Sequence, residues 1–296
     1  MTRMKTLRDA MQRKEFVITA ELPLQPTSTA ADIEGAVSVL APLVDAVQII
    51  DDRDAVGRMS SLAAAAIVLR CGTDAVLHLT GRDRNRVALQ AELLGSAALG
   101  VTSVVVRRGE KLSKKDFLRG KGVFDTKETR LTEMARRIGE ESGLVSAPGF
   151  HIGTYVTVFT FSEDWQAERI SESIDAGTRV LLTQPCLNNA LLERYMDKLV
   201  RQKIPHRATV IVEVPLLDSR ELAQNYKNED PNALVPDAIV ARIVAADDPR
   251  AEGTAVCAEM LRSLTVIPGV AGANIRHNGD VANVVAAITA AKLETT

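Results

Sequence analysis

Eight short apolar runs alternate with helical patterns along this chain of 296 residues. Each run is followed by polar residues, and no Pro-, Gly- or Ser-rich linker separates the repeating units. An open doubly wound sheet rarely repeats so evenly over this length. We therefore predict one α/β domain over residues 1–296, folded as a single (β/α)8 TIM barrel. The predicted strands are 16–20, 45–50, 75–79, 103–106, 151–159, 179–182, 208–212 and 270–275.

An extra amphipathic helix, 3–13, is predicted in front of the first strand. In the helix after the third strand, Asp83 is the predicted N-cap, because its carboxylate can accept hydrogen bonds from first-turn amides, and Gly100 is the predicted end. Between them, apolar residues recur at helical spacing, at Val87, Ala91, Leu94 and Ala98. The other predicted helices are one opened by Thr29 or Asp32 and ending at Leu40, and then 60–69, 127–143, 163–176, 189–202, 219–227, 236–246, 251–264 and 280–292.

Composition excludes several classes of protein. The net charge is −2 and aromatic residues make up 3% of the chain, which argues against nucleic acid as a partner. No apolar stretch approaches the roughly 20 residues that span a bilayer, and the amino terminus lacks the apolar centre of a signal peptide. The three cysteines, Cys71, Cys186 and Cys257, are odd in number and far apart, as expected for free thiols in a reducing compartment. We therefore expect a cytoplasmic protein.

Polar residues gather where the predicted strands end. In a parallel barrel those ends lie on one face, where ligands bind. Glu21 and Gln184 stand out, because each lies against an apolar strand and beside a proline, where solvation explains a polar residue less well. The side chains expected on this face are Glu21, Asp51, Asp52, His78, Thr80, Arg82, Asp83, Arg107, Glu110, Tyr155, Gln184, Glu213 and His277.

Several chemistries lack their motifs. The chain has no P-loop, no G-x-G-x-x-G after a strand and no nucleophile elbow. It also has no H-E-x-x-H, no C-x-x-C and no paired histidines at ligand spacing, so no metal site is expected. The four histidines are dispersed, and a structural role is the better interpretation of each except His78. Cys186 is expected to be a buried, inert thiol.

The chain resembles the methylenetetrahydrofolate reductase family most closely at residues 78–86, His-Leu-Thr-Gly-Arg-Asp-Arg-Asn-Arg. The resemblance continues through 89–100 and covers most of the chain in the family's order. Further matches are Thr-Ala-Glu-Leu-Pro at 19–23, Asp51 with Arg-Met-Ser at 58–60, Val-Phe-Asp at 123–125, Ala-Gly at 176–177, Thr-Gln-Pro at 183–185 and Glu-Gly at 252–253.

The resemblance implies a (β/α)8 barrel that binds FAD and reduces 5,10-methylenetetrahydrofolate to 5-methyltetrahydrofolate with NADH or NADPH. Glu21 would be the general acid, and burial beside Leu22 and Pro23 would help its carboxyl group to keep a proton near neutral pH. Glu110 would act in catalysis and substrate binding, and Gln184 would bind the pterin. The implied FAD-binding residues are Asp51, His78, Thr80, Arg82, Asp83, Arg107, Gly109, Phe124, Asp125 and Tyr155.

The chain departs from the family's pattern at four places. Glu110 replaces the usual Asp, residues 171–175 (Ser-Glu-Ser-Ile-Asp) lack a Lys that can meet the FAD diphosphate, 187–188 lack an aromatic residue, and no Phe follows Pro215. These departures leave two alternatives open. One is a flavin-independent reductase with direct hydride transfer from NADH, and the other is an accessory folate-binding barrel of a methyl-transfer complex. NADH or NADPH as the donor, the direction of the reaction and a homo-oligomeric state also stay open.

Overall fold

Eight parallel strands close into a barrel in sequence order, from β1 to β8. The structure is a computed structural model, and it describes residues 5–51, 57–109, 121–141 and 149–293. Eight-fold βα alternation therefore predicted the barrel correctly. The strands are β1 Val17–Leu22, β2 Ala46–Ile49, β3 Ala75–Thr80, β4 Ser103–Arg107, β5 His151–Val156, β6 Val180–Thr183, β7 Thr209–Pro215 and β8 Val270–Arg276.

The helices cover the outside of the barrel and lie close to their predicted positions. The largest differences between prediction and structure are at the end of β5, which is Val156 rather than 159, and at the start of α6, which is Glu168 rather than 163. None of the helices in the described ranges is long and apolar enough to cross a membrane. The helices are α1 Leu7–Arg13, α2 Ala30–Leu40, α3 Ser61–Arg70, α4 Arg86–Leu99, α5 Glu128–Glu141, α6 Glu168–Ala176, α7 Asn189–Arg201, α8 Arg220–Glu229, α9 Asp237–Ala245, α10 Pro249–Leu264 and α11 Val281–Ala291.

Helix α4 corrects one prediction. Its N-cap is Asn85, whose side chain accepts from the amide of Ala88, and not Asp83, whose carboxylate is paired with Arg82. Asp83 lies two positions before the N-cap and three before the first helical residue, so it does not occupy the position from which a side chain reaches the first free amides. Gly100 does end the helix, in the left-handed conformation with φ at 91°.

The apolar stripe used to predict α4 lies largely on its outer side. Val87 is 75% exposed and Leu94 is 36% exposed, whereas Leu89 and Leu93 are fully buried. The helical period was therefore correct, but α4 packs on the barrel through a different set of residues. The prediction of a homo-oligomer stays a prediction.

Helix α1 closes the amino-terminal end of the barrel. Leu7 packs into the barrel interior with Val17, Ala46 and Val76. The backbone amide of Leu7 donates to the carboxylate of Asp74 at 2.7 Å, just before β3. The opposite end of the barrel, at the carboxyl ends of the strands, is left open for polar side chains.

Candidate active site

Two clefts open at the carboxyl ends of the strands. The larger has a volume of about 570 Å³ and spreads over β4 to β8. The smaller, of about 120 Å³, lies beside β1 and β2. Arg276 and Asn278 line both clefts, so the two are adjacent. The side chains that distinguish the larger cleft are Arg107, Tyr155, Gln184, Glu213 and Asp230, and those of the smaller are Glu21, Asp51, Arg58 and His277.

Glu21 is buried at the smaller cleft. It belongs to β1 rather than to the loop after it, and it is 5% exposed. The side-chain amide of Asn274 donates to its Oε1 at 3.4 Å, and Nε2 of His277 donates to its backbone carbonyl at 2.8 Å. Strand β8 and the loop after it therefore hold both the main chain and the side chain of Glu21.

His277 is a neutral histidine that holds the end of β1. The amide of Gly279 donates to Nδ1 at 3.2 Å, so Nδ1 is an acceptor and Nε2 carries the proton given to Glu21. Burial lowers the pKa of His277, and its hydrogen bond to Glu21 opposes this only in part. The imidazole therefore stays uncharged at neutral pH.

Glu213 is the centre of a polar cluster in the larger cleft. The hydroxyl of Tyr155 donates to Oε2 of Glu213 at 3.0 Å. Arg276 donates both to Oε1 of Glu213, at 3.4 Å, and to the carboxylate of Asp230, at 2.6 Å. The guanidinium of Arg107 lies 4.7 Å from the centroid of the Tyr155 ring. A cation over an aromatic face and a buried carboxylate fix the orientation of the Tyr155 ring.

Gln184 lies in the larger cleft with part of its amide already used. Its Oε1 accepts from the amide of Val158 at 2.9 Å, and its Nε2 donates to the carbonyl of Val158 at 2.8 Å. This pair of bonds ties the loop after β5 to the end of β6. One amide hydrogen and one oxygen lone pair of Gln184 are left for a ligand.

Asp51 holds the ends of β2 and β3 together. Its Oδ2 accepts from the amide of Thr80 at 2.9 Å and from Arg84 at 2.6 Å, while Oδ1 meets the other guanidinium nitrogen at 3.2 Å. Next to Thr80, Gly109 has φ at 82°, and a Cβ there would lie 2.1 Å from the Thr80 hydroxyl. Glycine at 109 is required for this close approach.

Near the start of α4 lie four more residues that the resemblance assigns to FAD, namely Arg82, Asp83, Phe124 and Asp125. Arg82 is buried and pairs with Asp83 through two bonds of 2.7 Å. Asp125 accepts from the backbone amide of Arg86 at 3.0 Å, which lowers its pKa. The ring of Phe124 lies 5.6 Å from the guanidinium of Arg108. Glu110 and Asp52, also predicted on this face, lie outside the described residues.

Sequence reasoning missed three buried polar residues inside the barrel, Thr19, Gln48 and Asn274. All three are at most 1% exposed, and they are in contact with one another. A signal was present, since each interrupts an otherwise apolar strand. Thr19 is also two residues from Glu21, so the strand alternation places both on the interior face.

A third cleft, of about 650 Å³, lies between β5 and α6. It has an aromatic side formed by Phe159, Trp165 and Tyr195. Its ionisable lining consists of three carboxylates and one guanidinium, those of Glu128, Asp164, Glu168 and Arg169. Burial raises the pKa of Glu128. Within the part of the chain that the structure describes, no group of acidic, histidine or cysteine side chains could hold a metal ion.

A (β/α)8 barrel with a buried carboxyl group at its open end defines an α/β-barrel protein with a candidate acid–base site. The family comparison is more specific, because the methylenetetrahydrofolate reductase family matches residues 7–273. The chain therefore belongs to the methylenetetrahydrofolate reductase family. No curated protein matches its sequence.

Solved structures share the fold at low sequence identity. A Clostridium thermocellum protein, described as uncharacterized and as binding two copies of 5-methyl-5,6,7,8-tetrahydrofolic acid, is 11% identical with a TM-score of 0.72, and the match covers 97% of this chain and 98% of that one. A 2,3-dimethylmalate lyase of the PEP mutase/isocitrate lyase superfamily is 12% identical with a TM-score of 0.52, covering 96% and 82%. At such identities the likeness shows the fold alone.

Proposed function

We propose that this chain is a 5,10-methylenetetrahydrofolate reductase that interconverts its substrate with 5-methyltetrahydrofolate, with hydride passed from NADH or NADPH through FAD. The observation that carries the proposal is Glu21, a buried carboxyl group at the open end of a barrel of this family. The Clostridium thermocellum neighbour with the same fold is described as binding 5-methyltetrahydrofolate, which is the product of this reaction.

Glu21 is assigned as the general acid. It donates its proton to N10 of the folate while the bond between the methylene carbon and N10 breaks, and the electrons of that bond stay on N10. The resulting 5-iminium cation accepts a hydride at the methylene carbon, which becomes the methyl group. The pterin is assigned to the free amide hydrogen and lone pair of Gln184. Glu110 keeps its predicted role on the resemblance alone.

The resemblance assigns the flavin to side chains of which Arg107 and Tyr155 line the larger cleft. When bound, FAD supplies a two-electron hydride carrier between nicotinamide and folate. Tyr155 is suited to the edge of the ring system, whereas His78 and Thr80 are buried and keep their flavin roles on the resemblance alone. Arg107 would lie along the ring and the ribityl chain, and Phe124 with Asp125 would lie toward the adenosine. The protein's own contribution is to orient the ring and exclude water.

Direct hydride transfer from NADH is the second candidate. It is favoured by the cleft beside α6, whose described lining has three carboxylates against one guanidinium. Carboxylates repel a diphosphate, and α6 has Glu168 in its first turn. A reductase that uses nicotinamide directly has no FAD diphosphate to place beside α6, and the diphosphate of NADH would lie outside that cleft.

The test is turnover of NADH and NADPH with methylenetetrahydrofolate by the purified protein and by Glu21→Gln. We expect the variant to lose at least about 100-fold in kcat, since general acid catalysis contributes that much or more. Asp74→Asn is the matched control, because Asp74 is a buried carboxyl group at the opposite end of the barrel. Unchanged turnover in Glu21→Gln would overturn the assignment, and no turnover in the wild type would favour the accessory folate-binding barrel.

The visible spectrum of the same preparation separates the two hydride routes. A flavin absorption band that NADH bleaches and methylenetetrahydrofolate restores is the expected result for FAD. A colourless protein that turns over and takes up no added FAD would establish direct transfer. Both outcomes leave the role of Glu21 to the kinetic test.

A further inference from the structure

A chain of buried hydrogen bonds crosses four strands and ends at Glu21. His78 Nε2 and Gln48 Oε1 are 2.6 Å apart, and Gln48 Nε2 is 2.9 Å from the Thr19 hydroxyl. The Thr19 hydroxyl is 2.9 Å from Asn274 Oδ1, and Asn274 Nδ2 is 3.4 Å from Glu21 Oε1. The chain thus runs from β3 through β2 and β1 to β8, and returns to β1 at Glu21.

All the bonds of this chain point the same way. The NH₂ group of Asn274 donates to Glu21, so the side chain of Asn274 presents its oxygen to Thr19. The Thr19 hydroxyl must then donate to Asn274 and accept from the NH₂ group of Gln48. That leaves the oxygen of Gln48 facing His78, whose Nε2 therefore carries a proton. Every donor is directed toward Glu21.

We propose that Thr19, Gln48 and Asn274 are positioning residues that stabilise the negative charge left on Glu21 after it gives up its proton. The inference rests on the proposed function, since it names what supports the general acid. A hydrogen bond to a carboxylate is stronger than one to a neutral carboxyl group, so the 3.4 Å contact gains strength as the proton leaves. Aligned donors polarise one another and add to this effect.

The chain of hydrogen bonds stabilises the charge of Glu21 and does not conduct protons to it. Amide groups such as those of Gln48 and Asn274 do not exchange protons readily at neutral pH, so a proton path from His78 to Glu21 would stop at each of them. All four donors are at most 1% exposed, so water does not compete for these bonds. The other ionisable side chains of the small cleft around Glu21 are Asp51, Arg58, Arg276 and His277.

Thr19 offers the sharpest test, because two substitutions separate hydrogen bonding from packing. Thr19→Val keeps the shape and removes the hydroxyl, whereas Thr19→Ser keeps the hydroxyl and removes a methyl group. We expect Thr19→Val and Asn274→Leu to lower kcat about tenfold with KM nearly unchanged. Asn274→Leu removes the hydrogen bond to the charged group, and Thr19→Val removes the bond that orients the amide of Asn274 toward it. Thr19→Ser should stay within about twofold of the wild type. A purely structural role for Thr19 would make the two variants equal or reverse their order.

A second readout does not depend on turnover. The carboxyl carbon of Glu21, followed by NMR as pH is varied, should titrate about one pH unit higher in Thr19→Val and Asn274→Leu, the equivalent of a tenfold loss. It should not move in Thr19→Ser. Ser103→Ala is the control, because Ser103 is a buried polar residue on β4 outside the chain of bonds.

The two measurements distinguish failure of this inference from failure of the proposed function. If the titration of Glu21 moves and the wild type has no reductase activity, the chain of bonds supports Glu21 and the proposed reaction is wrong. If the titration is the same in Thr19→Val and in the wild type, the inference is overturned whatever the activity.

Discussion

Replacing Asp74 with Asn should stabilise the protein at neutral and alkaline pH. Asp74 is 1% exposed and accepts a 2.7 Å hydrogen bond from the amide of Leu7, at the start of α1. Burial raises its pKa from 3.8 to about 6, although the amide of Leu7 opposes the rise. Asn keeps an oxygen for that amide and carries no charge.

The size of the effect on stability follows from the pKa shift of Asp74. Because the pKa is higher in the folded state than in the unfolded state, the stabilising contribution is complete below pH 3.8 and is lost as the pH rises through about 6. At about 1.36 kcal/mol per pH unit, the full loss in the wild type is about 3 kcal/mol. Roughly two thirds of it falls between about pH 4.5 and pH 8. The advantage of Asp74→Asn over the wild type should therefore grow by about 2 kcal/mol over that interval.

The assay is thermal and urea unfolding of both proteins across that pH interval. For a domain of this size, about 2 kcal/mol corresponds to a relative gain in Tm of roughly 4 °C. Asp32→Asn is a control that should show almost no change over this interval, because the backbone amide of Thr29 lowers the pKa of this exposed carboxylate below 3.8. Its contribution is present above the unfolded pKa and is lost as the pH falls. A difference between Asp74→Asn and the wild type that stays constant with pH would refute the reasoning.

Two further predictions concern the site and the cysteines. Gln184→Met should lower the free energy of unfolding by about 2 to 4 kcal/mol, because the backbone amide and carbonyl of Val158 lose their partners. Hydrogen exchange at the Val158 amide should become faster, and unchanged protection there would contradict the prediction. At about pH 8 a thiol reagent should modify Cys71 alone in the folded protein, because burial raises the pKa of Cys186 to about 11 and that of Cys257 to about 12. After denaturation it should modify all three thiols. Rapid reaction of a second thiol would show that one of the buried cysteines is accessible.

The barrel could be predicted from sequence because its signals are local. Each strand is a short apolar run, and several helices carry a side-chain cap, as in the Thr29 and Asp32 capping box of α2. The misplaced N-cap at Asp83 has a different origin. Arg82 takes up the Asp83 carboxylate, and side-chain pairing of this kind is not visible in a pattern of hydrophobic residues.

The site could be predicted where polar residues end the strands, and not where they lie within them. Glu21 and Gln184 were found because they follow apolar runs and precede prolines. Asn274 and Gln48 lie inside strands, where a polar residue is hard to separate from ordinary variation. Their importance depends on contacts between β1, β2 and β8, which are far apart in sequence.

The barrel interior itself shows why these residues belong to the site rather than to the fold. One layer of the barrel interior is apolar, with Val105, Leu182 and Ile211 in one buried cluster. An apolar interior is thus sufficient to fill a barrel of this size. Polar side chains at such positions cost free energy unless every bond is made, and on β8, β1, β2 and β3 those bonds converge on Glu21. A purely structural role would leave no reason for the bonds to run in one direction toward one carboxyl group, whereas stabilising its charge requires that arrangement.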